Sequence, residues 1–328
     1  MPLVRLGLVL LVLGAALAAL FGALGFLHPA LDLFNHGQPL WLAALVLGAG
    51  FALLVCRGRT LAALVAISVL GFGAGSVQVA PVLLAGLAAR PALPDDGRPV
   101  LELFTHNLFG LNYDMNRVAA VIAAEDPDIV AVQEYFAEQR EALHGLLAAH
   151  YPYSAHCAGG KRANIGLYSK LPFEQAATGT CSESAAGGGR VARILGRFTL
   201  SDGTRFSVMT THLDWPLPLA RQQAEMAELA EAVRSSEGPL LLVGDFNSTP
   251  WSFALSRLAA EGGLARQTHG NPTYPLLFYY LGDWRPTLPF LAIDQVMTRG
   301  PVAIHALHAG APTGSDHLPV VLRFSVTR

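Results

Sequence analysis

The residues with the clearest capacity for chemistry stand at the ends of two apolar runs in the C-terminal half of the 328-residue chain. One run, Leu240-Leu-Leu-Val-Gly-Asp-Phe-Asn247, closes on Asp245 and Asn247, two positions apart and therefore on one face of a strand end. The other, Ser315-Asp316-His317, places an acid and an imidazole directly before the apolar β-branched stretch that follows. A strand delivering Asp and Asn to a rim, beside another delivering Asp and His, can hold a hard cation next to a proton-transfer group. Phosphoester hydrolysis needs that combination.

Four more polar residues sit where apolar runs end or turn polar: Asn107, Glu134, His212 and Asp294. Singly, each has an ordinary explanation. Asn107 could cap a turn, Glu134 could start a helix, and Asp245 with Asn247 could close a loop. Asp294, inside Ala292-Ile-Asp-Gln-Val-Met297, is harder to dismiss, because a buried acid without a partner is costly. The set of eight carries the signal.

The elements that must position them alternate between short apolar strands and amphipathic helices from residue 100 onward. Strands are expected at 100–108, 128–133, near 153–158, 163–169 and 190–200, at 204–211 and 240–244, and last at 292–298 and 318–326. Helices are expected at 115–125, 136–149 and 219–234, the first ended by Asp126-Pro127. The pattern and size suit one α/β domain with stacked sheets covered by helices.

With those residues in view, the chain resembles the endonuclease/exonuclease/phosphatase superfamily. The landmarks run in order as Thr105-His-Asn107, Val132-Gln-Glu134, Asn164-Ile-Gly-Leu-Tyr-Ser-Lys170, Thr211-His-Leu213, Gly244-Asp-Phe-Asn247, Ile293-Asp294 and Ser315-Asp-His317. The resemblance implies a four-layer α/β sandwich, two packed mixed sheets flanked by helices, with the site at one rim. It also implies roles: Asn107, Glu134 and Asp316 as ligands of Mg²⁺ or Mn²⁺, and Asp245 orienting or deprotonating the attacking water. Asn247 would hold that water and a phosphoryl oxygen. His317, oriented by Asp294, would stabilise the pentacovalent phosphorane, and His212 would contact another phosphoryl oxygen or protonate the leaving group. Asn164, with Lys161 and Arg162, is the candidate contact to substrate phosphate. Two positions depart from the family pattern, His106 before the Asn and Gln295 after the Asp, and neither carries the chemistry.

Upstream of this domain the composition changes. Of 22 basic and 24 acidic side chains, only Arg5, Asp32, Arg57 and Arg59 fall within residues 1–89. Uncharged stretches at 6–27, 40–56 and 60–85 read as three membrane spans, the first reaching roughly 33 Å as a helix. Its length, and its exit into His28-Pro29 rather than a small-residue cleavage motif, argue against a removed signal peptide. The Pro-rich segment 90–99 is the expected linker to a catalytic domain over 100–328. Arg5 before the first span, and Arg57 and Arg59 after the second, place the N-terminus in the cytoplasm and the catalytic domain on the extracytoplasmic side. Cys157 and Cys181 could pair there or remain as two thiols.

Substrate is less legible. From Arg90 onward the chain has 19 basic and 23 acidic residues, without the basic excess expected of a protein that grips long nucleic acid. Lys170, Arg190 and Arg193 are further candidates for a local basic patch. The aromatic, Pro-rich segment Tyr274–Phe290 is either a packed loop or an apolar rim that leans on a bilayer. Nucleic acid, phospholipid and small phosphate esters all stay open as substrates, as does a catalytically silent membrane-bound binding module. A silent member would be free to lose some of the eight residues, and all are present.

Overall fold

The structure, a computed structural model, describes residues 2–88, 97–157, 164–175 and 191–327. Its contacts divide the chain into two units, Met1–Leu87 with Ser248–Arg257, and Ala88–Asn247 with Leu258–Arg328. Residues 90–96 of the expected linker lie outside the described residues.

The first unit is built on three long helices, α1 (Pro2–Ala23), α3 (Gln38–Val55) and α4 (Gly58–Leu87). Each is long and apolar enough to cross a membrane. Small residues face inward: Ala15, Ala19 and Ala52 are buried, and a Cβ on Gly71 would come 2.9 Å from the Cα of Ala16. Large ones face outward, including Leu10, Leu47, Leu54, Leu70 and Leu84. Close backbone approach through small residues with leucines outside is how helices associate in lipid. The connection between α1 and α3 contains a short helix α2 (Pro29–Asp32) and a 3₁₀ turn (Leu33–Gly37). Asp32, Asn35 and Gln38 in this segment are buried. Asn35 Nδ2 donates to Asp32 Oδ1 at 2.8 Å and to Gly22 O at 2.9 Å, and Gln38 Nε2 donates to Ala19 O at 3.0 Å, while the buried Gln38 Oε1 has no hydrogen-bond partner among the described residues.

The second unit is two mixed six-stranded sheets flanked by helices. One sheet has the order β13-β14-β1-β2-β4-β3, built from β1 (Leu101–Asn107), β2 (Ile129–Gln133), β3 (Tyr153–Cys157), β4 (Ile165–Ser169), β13 (Val302–Ala309) and β14 (Val320–Val326). The other has the order β5-β6-β7-β8-β12-β9, from β5 (Phe173–Gln175), β6 (Ala192–Thr199), β7 (Arg205–His212), β8 (Leu240–Asp245), β9 (Ala265–Arg266) and β12 (Asp294–Arg299). Leu103, Ala131, Ile165 and Leu167 of the first pack against Ile194, Phe198, Val208, Leu241, Val243 and Val296 of the second. Helices α5 (Met115–Glu125) and α6 (Ala137–Leu147) cover the far face of the first sheet, burying Val118, Ile122 and Leu143 on Phe104, Val130 and Val132. Helix α7 (Leu219–Ser235) buries Met226, Leu229 and Val233, and α8 spans Phe253–Gly262.

Strand centres agree with the sequence pattern, and the unexpected elements are helix α8 and several short or edge strands. β5, β9 and the edge strand β13 carry too little apolar alternation to stand out; β13 is half-buried along its length. The segment Tyr274–Phe290 contains a separate hairpin, β10 (Leu277–Tyr280) with β11 (Asp283–Pro286), rather than a packed loop. On β13 His308 is exposed, and half-buried His305 reaches Ser325 Oγ at 2.8 Å.

Candidate active site

Strand register brings the polar residues together. His212 ends β7 opposite Asp245, which ends β8, and Asp294 opens β12 opposite Asp245 from the other side. In the facing sheet Asn107 ends β1 opposite Gln133, so Glu134, the next residue, leaves β2 beside it. Asp316 and His317 arrive on the loop before β14. Local backbone explains the exact residue types. A Cβ on Gly244, whose φ is 137°, would lie 2.0 Å from Thr211 O, so only glycine lets β7 and β8 close just before Asp245. Glu134 and Asn247 hold left-handed backbone, with φ of 54° and 46°. Such conformations are uncommon away from glycine and are retained where a site requires them.

Asp245 is the hub. Its Oδ2 accepts from Asn107 Nδ2 at 2.9 Å and its Oδ1 from the Asn247 backbone N–H at 2.8 Å. His212 Nε2 stands 3.5 Å and His317 Nε2 3.9 Å from Asp245 Oδ2. Asn247 Nδ2 donates to Leu213 O at 2.9 Å, which holds the amide beside His212. Glu134 Oε2 accepts from Gly110 N at 2.6 Å, and its Oε1 lies 3.5 Å from Asn107 Nδ2. Asp316 Oδ1 is 3.9 Å from His317 Nε2. The eight polar residues at strand ends thus converge in one linked network.

Charge in this network is unevenly matched. Burial raises the Asp245 carboxyl, but His212, His317 and the Asn247 N–H outweigh it and hold it down at about 2. His317 is buried, which disfavours its charge, yet Asp294, Asp245 and Asp316 push it up to about 10, so it is a cation at neutral pH. Asp316 is pushed up to about 6 by burial and by Glu134 and Asp245, against the attraction of His317. The Asn107–Glu134–Asp316 corner therefore offers hard oxygens with too little positive charge, a donor set that could hold a divalent cation. Asp245, Asp294 and His317 also present ligand-type atoms within 4.8 Å of one another. There, however, His317 Nδ1 and Asp294 Oδ2 are already joined by a 2.8 Å hydrogen bond, which explains their closeness without an ion.

Three contributors carry no sequence motif. Thr273 Oγ1 donates to Asp294 Oδ2 at 2.5 Å, Tyr274 packs its ring 4.7 Å from that of His317, and Ser315 Oγ bridges Asn107 O (2.7 Å) and His317 N (3.0 Å). The need of the buried Asp294 for partners was the available signal. The departures from the family pattern are structural: His106 Nε2 meets Thr313 Oγ1 at 2.7 Å, and Gln295 Oε1 accepts from Thr268 at 2.9 Å. Burial and the neighbouring His317 push His106 down to about 3, so it is neutral.

The expected phosphate contacts fare differently. Lys161, Arg162 and Arg190 lie outside the described residues, and Asn164 accepts from Tyr135 N through its backbone oxygen at 2.8 Å. Arg193 pairs with Glu228 at 2.9 Å, and Lys170 with Asp126 at 2.6 Å beyond the end of β4 remote from Glu134. Cys157 is disulfide-bonded; Cys181 lies outside the described residues.

A two-sheet sandwich with acid, amide and imidazole groups converging at one rim defines a hydrolase of phosphoester bonds. Residues 104–317 match the Endonuclease/Exonuclease/phosphatase family, and the chain belongs to it. Among curated proteins it is 29% identical over 136 residues to a UPF0294 protein of Vibrio cholerae, covering 40% of this chain and 44% of that protein. It is 28% identical over 170 residues to inositol phosphosphingolipids phospholipase C of Saccharomyces cerevisiae, covering 45% and 36%. The chain thus spans less than half the length of these relatives. Among solved structures, the endonuclease/exonuclease/phosphatase from Beutenbergia cavernae superposes with a TM-score of 0.53 at 21% identity, covering 70% of this chain and 72% of that one. D. rerio TDP2 complexed with single strand DNA product superposes with a TM-score of 0.52 at 16% identity, covering 69% and 99%. These last two likenesses concern the fold.

Proposed function

We propose that the chain is a membrane-anchored, divalent-metal-dependent phosphodiesterase whose substrate carries its phosphodiester at a lipid surface. The observation that carries the reaction is the alignment of His212, Asp245 and Asp294 across β7, β8 and β12, facing Asn107, Glu134 and Asp316. Asn107, Glu134 and Asp316 would hold Mg²⁺ or Mn²⁺, which when bound neutralises charge on the phosphoryl and leaving oxygens. Asp245, ionised and fixed by two hydrogen bonds, orients the attacking water and takes its proton as the oxygen lone pair reaches phosphorus. Asn247 steadies that water and a phosphoryl oxygen. As the new O–P bond forms and the ester P–O bond breaks, cationic His317 faces the growing phosphorane charge, and His212 delivers a proton to the departing oxygen.

The lipid assignment is supported by three helices fit to span a bilayer and by the β10–β11 hairpin. Tyr279, Tyr280 and Leu281 are 63%, 57% and 86% exposed, with Phe278 and Phe290 exposed as well. Isolated apolar side chains at a surface are ordinary, whereas a contiguous aromatic set suits an interface. The hairpin adjoins the chemistry: Leu276 N donates to Asp316 O at 2.7 Å, and the Trp284 ring lies 5.2 Å from that of Phe109. The name of the yeast relative, a phospholipase C acting on inositol phosphosphingolipids, agrees with this reading. The disulfide at Cys157 fits an extracytoplasmic catalytic unit, since such bonds persist in oxidising compartments. In the proposed topology a reporter fused at Arg328 is active outside the cytoplasm; activity confined to the cytoplasm contradicts it.

A nuclease reading uses the same centre, and the absence of a basic excess weighs against it. The experiment is hydrolysis by the full chain of sphingomyelin vesicles, phosphatidylinositol vesicles, inositol phosphates and plasmid DNA, each with Mg²⁺ and with EDTA. Turnover of a vesicle substrate, abolished by EDTA, is expected. DNA cleavage without lipid turnover would transfer the assignment to nuclease.

A further inference from the structure

The last two residues of β1 point to opposite faces of the sheet, as strand alternation requires. Asn107 enters the site, where its Nδ2 donates to Asp245 Oδ2. His106 turns to the face covered by α5, where its ring stands edge-on to that of Phe104 at 5.9 Å and is 1% exposed. An imidazole buried so deeply needs a polar partner. Its Nε2 lies 2.7 Å from Thr313 Oγ1, whereas Nδ1 has no hydrogen-bond partner among the described residues. A phenyl ring would fill the same space without an unpaired nitrogen, so the bond to Thr313 is what the histidine adds.

Thr313 belongs to the loop between β13 and β14 that delivers Asp316 and His317. Its hydroxyl also accepts from Ser315 N at 3.4 Å. Ser315 Oγ in turn donates to Asn107 O at 2.7 Å and accepts from His317 N at 3.0 Å. The two residues that flank Asp316 are thus tied, through Thr313, to His106. Other grips on the loop act on backbone carbonyls: Arg117 Nε donates to Pro312 O at 3.0 Å, Asn112 Nδ2 to Thr313 O at 3.3 Å and Leu276 N to Asp316 O at 2.7 Å. We propose that His106 is a positioning residue for the cation corner: through Thr313 and Ser315 it fixes where the loop presents Asp316 to Glu134 and Asn107. One strand end then supplies a ligand on one face and the brace of a second ligand on the other. The proposal rests on the reading of Asn107, Glu134 and Asp316 as cation ligands and deepens it, since groups that orient metal ligands tune the affinity of the site.

The test measures Mg²⁺ and Mn²⁺ affinity by calorimetry at pH 8 on the full chain in detergent micelles, with hydrolysis of bis-para-nitrophenyl phosphate at saturating cation beside it. His106→Phe keeps a ring and removes the bond, and its Kd for either cation should rise by about 10- to 100-fold. His106→Gln, whose terminal amide reaches as far as Nε2, should recover part of that loss, and Thr313→Ser should bind close to the original. Thr313→Val cuts the same bond from the other side, so it reports even where His106→Phe does not fold. The double variant should lose no more than the worse single one, because both remove one interaction. Hydrogen exchange at the Ser315 and His317 amides should quicken in His106→Phe and Thr313→Val, while β2 and β8 stay protected. Unchanged cation affinity in the folded variants overturns the brace, as does an additive loss in the double variant or a general loss of protection across β1 and β8. A chain that binds cation without hydrolysis sinks the phosphodiesterase reading and leaves the brace standing; a chain that binds no cation removes both.

Discussion

His317 Nδ1 lies 2.8 Å from Asp294 Oδ2, and that same oxygen accepts the Thr273 hydroxyl at 2.5 Å. The acid on β12 is thereby held by a loop threonine on one side and orients the imidazole on the other. Because Asp294 is the largest contributor opposing burial, it is what keeps His317 charged.

Replacing Asp294 with Asn should therefore bring the His317 pKa down from about 10, since burial then acts against a weakened partner. The alkaline limb of the kcat–pH profile, expected near pH 10 in the unsubstituted enzyme, should move toward neutrality. A raised imidazole pKa contributes stability that is complete below the ordinary value of 6.5 and is lost as pH rises through about 10, so this variant should be less stable than the original chiefly below pH 6.5, the difference shrinking as pH rises toward 10. A limb left in place would separate His317 protonation from Asp294.

Thr273→Val tests the other half of the pair. It keeps the shape but leaves buried Asp294 without its second donor, which costs about 1–3 kcal/mol of stability. Denaturant unfolding should show that loss, and turnover should fall less than in the Asp294 variant, since the imidazole partner remains.

Cation binding should be visible without activity. Asp316 is pushed up to about 6 by burial and by Glu134 and Asp245, so ionising it as pH rises from 3.8 through 6 works against the folded state. A divalent cation relieves this repulsion. At pH 8, Mg²⁺ at 100 times its Kd should stabilise the fold by about 2.7 kcal/mol. The increase in Tm should shrink as pH drops below about 6, where protons compete for Asp316, and should be lost in Glu134→Gln.

The exposed hairpin divides soluble from interfacial substrate. Changing Phe278, Tyr279 and Tyr280 together to Ser should leave hydrolysis of bis-para-nitrophenyl phosphate within about twofold, because surface substitutions away from special features cost little. Turnover of lipid in vesicles should fall by about tenfold or more, from the loss of buried apolar area at the interface. Equal loss on both substrates would give the hairpin a role in folding rather than in lipid contact.

Much of this site could be read along the chain because strands advertise their ends. The run Leu240–Val243 is buried on both faces, so the polarity change at Asp245 and Asn247 marks both the element boundary and the chemistry. Asp294 stood out for the same reason. What escaped was held by distant partners rather than by periodicity. Thr273 sits in an irregular loop and matters only through Asp294, and β13 is an edge strand without strong alternation. Asp32 counts in sequence only as one of four charges in residues 1–89, because no local pattern links it to Phe253 N across 221 positions of sequence. The lysine and arginine candidates show the converse: charge near a motif in sequence did not keep Arg193 or Lys170 free of partners.

The central claim is that one centre, organised on Asp245, hydrolyses phosphodiesters with a bound cation. It is tested most directly by single-turnover and steady-state hydrolysis of bis-para-nitrophenyl phosphate by the full chain and by Asp245→Ala. The unsubstituted enzyme should be silenced by EDTA and restored by Mg²⁺ or Mn²⁺, and Asp245→Ala should lower kcat by about 10²–10⁴-fold with its fold intact. Cation-independent hydrolysis, or an Asp245→Ala protein as active as the original, would contradict the account.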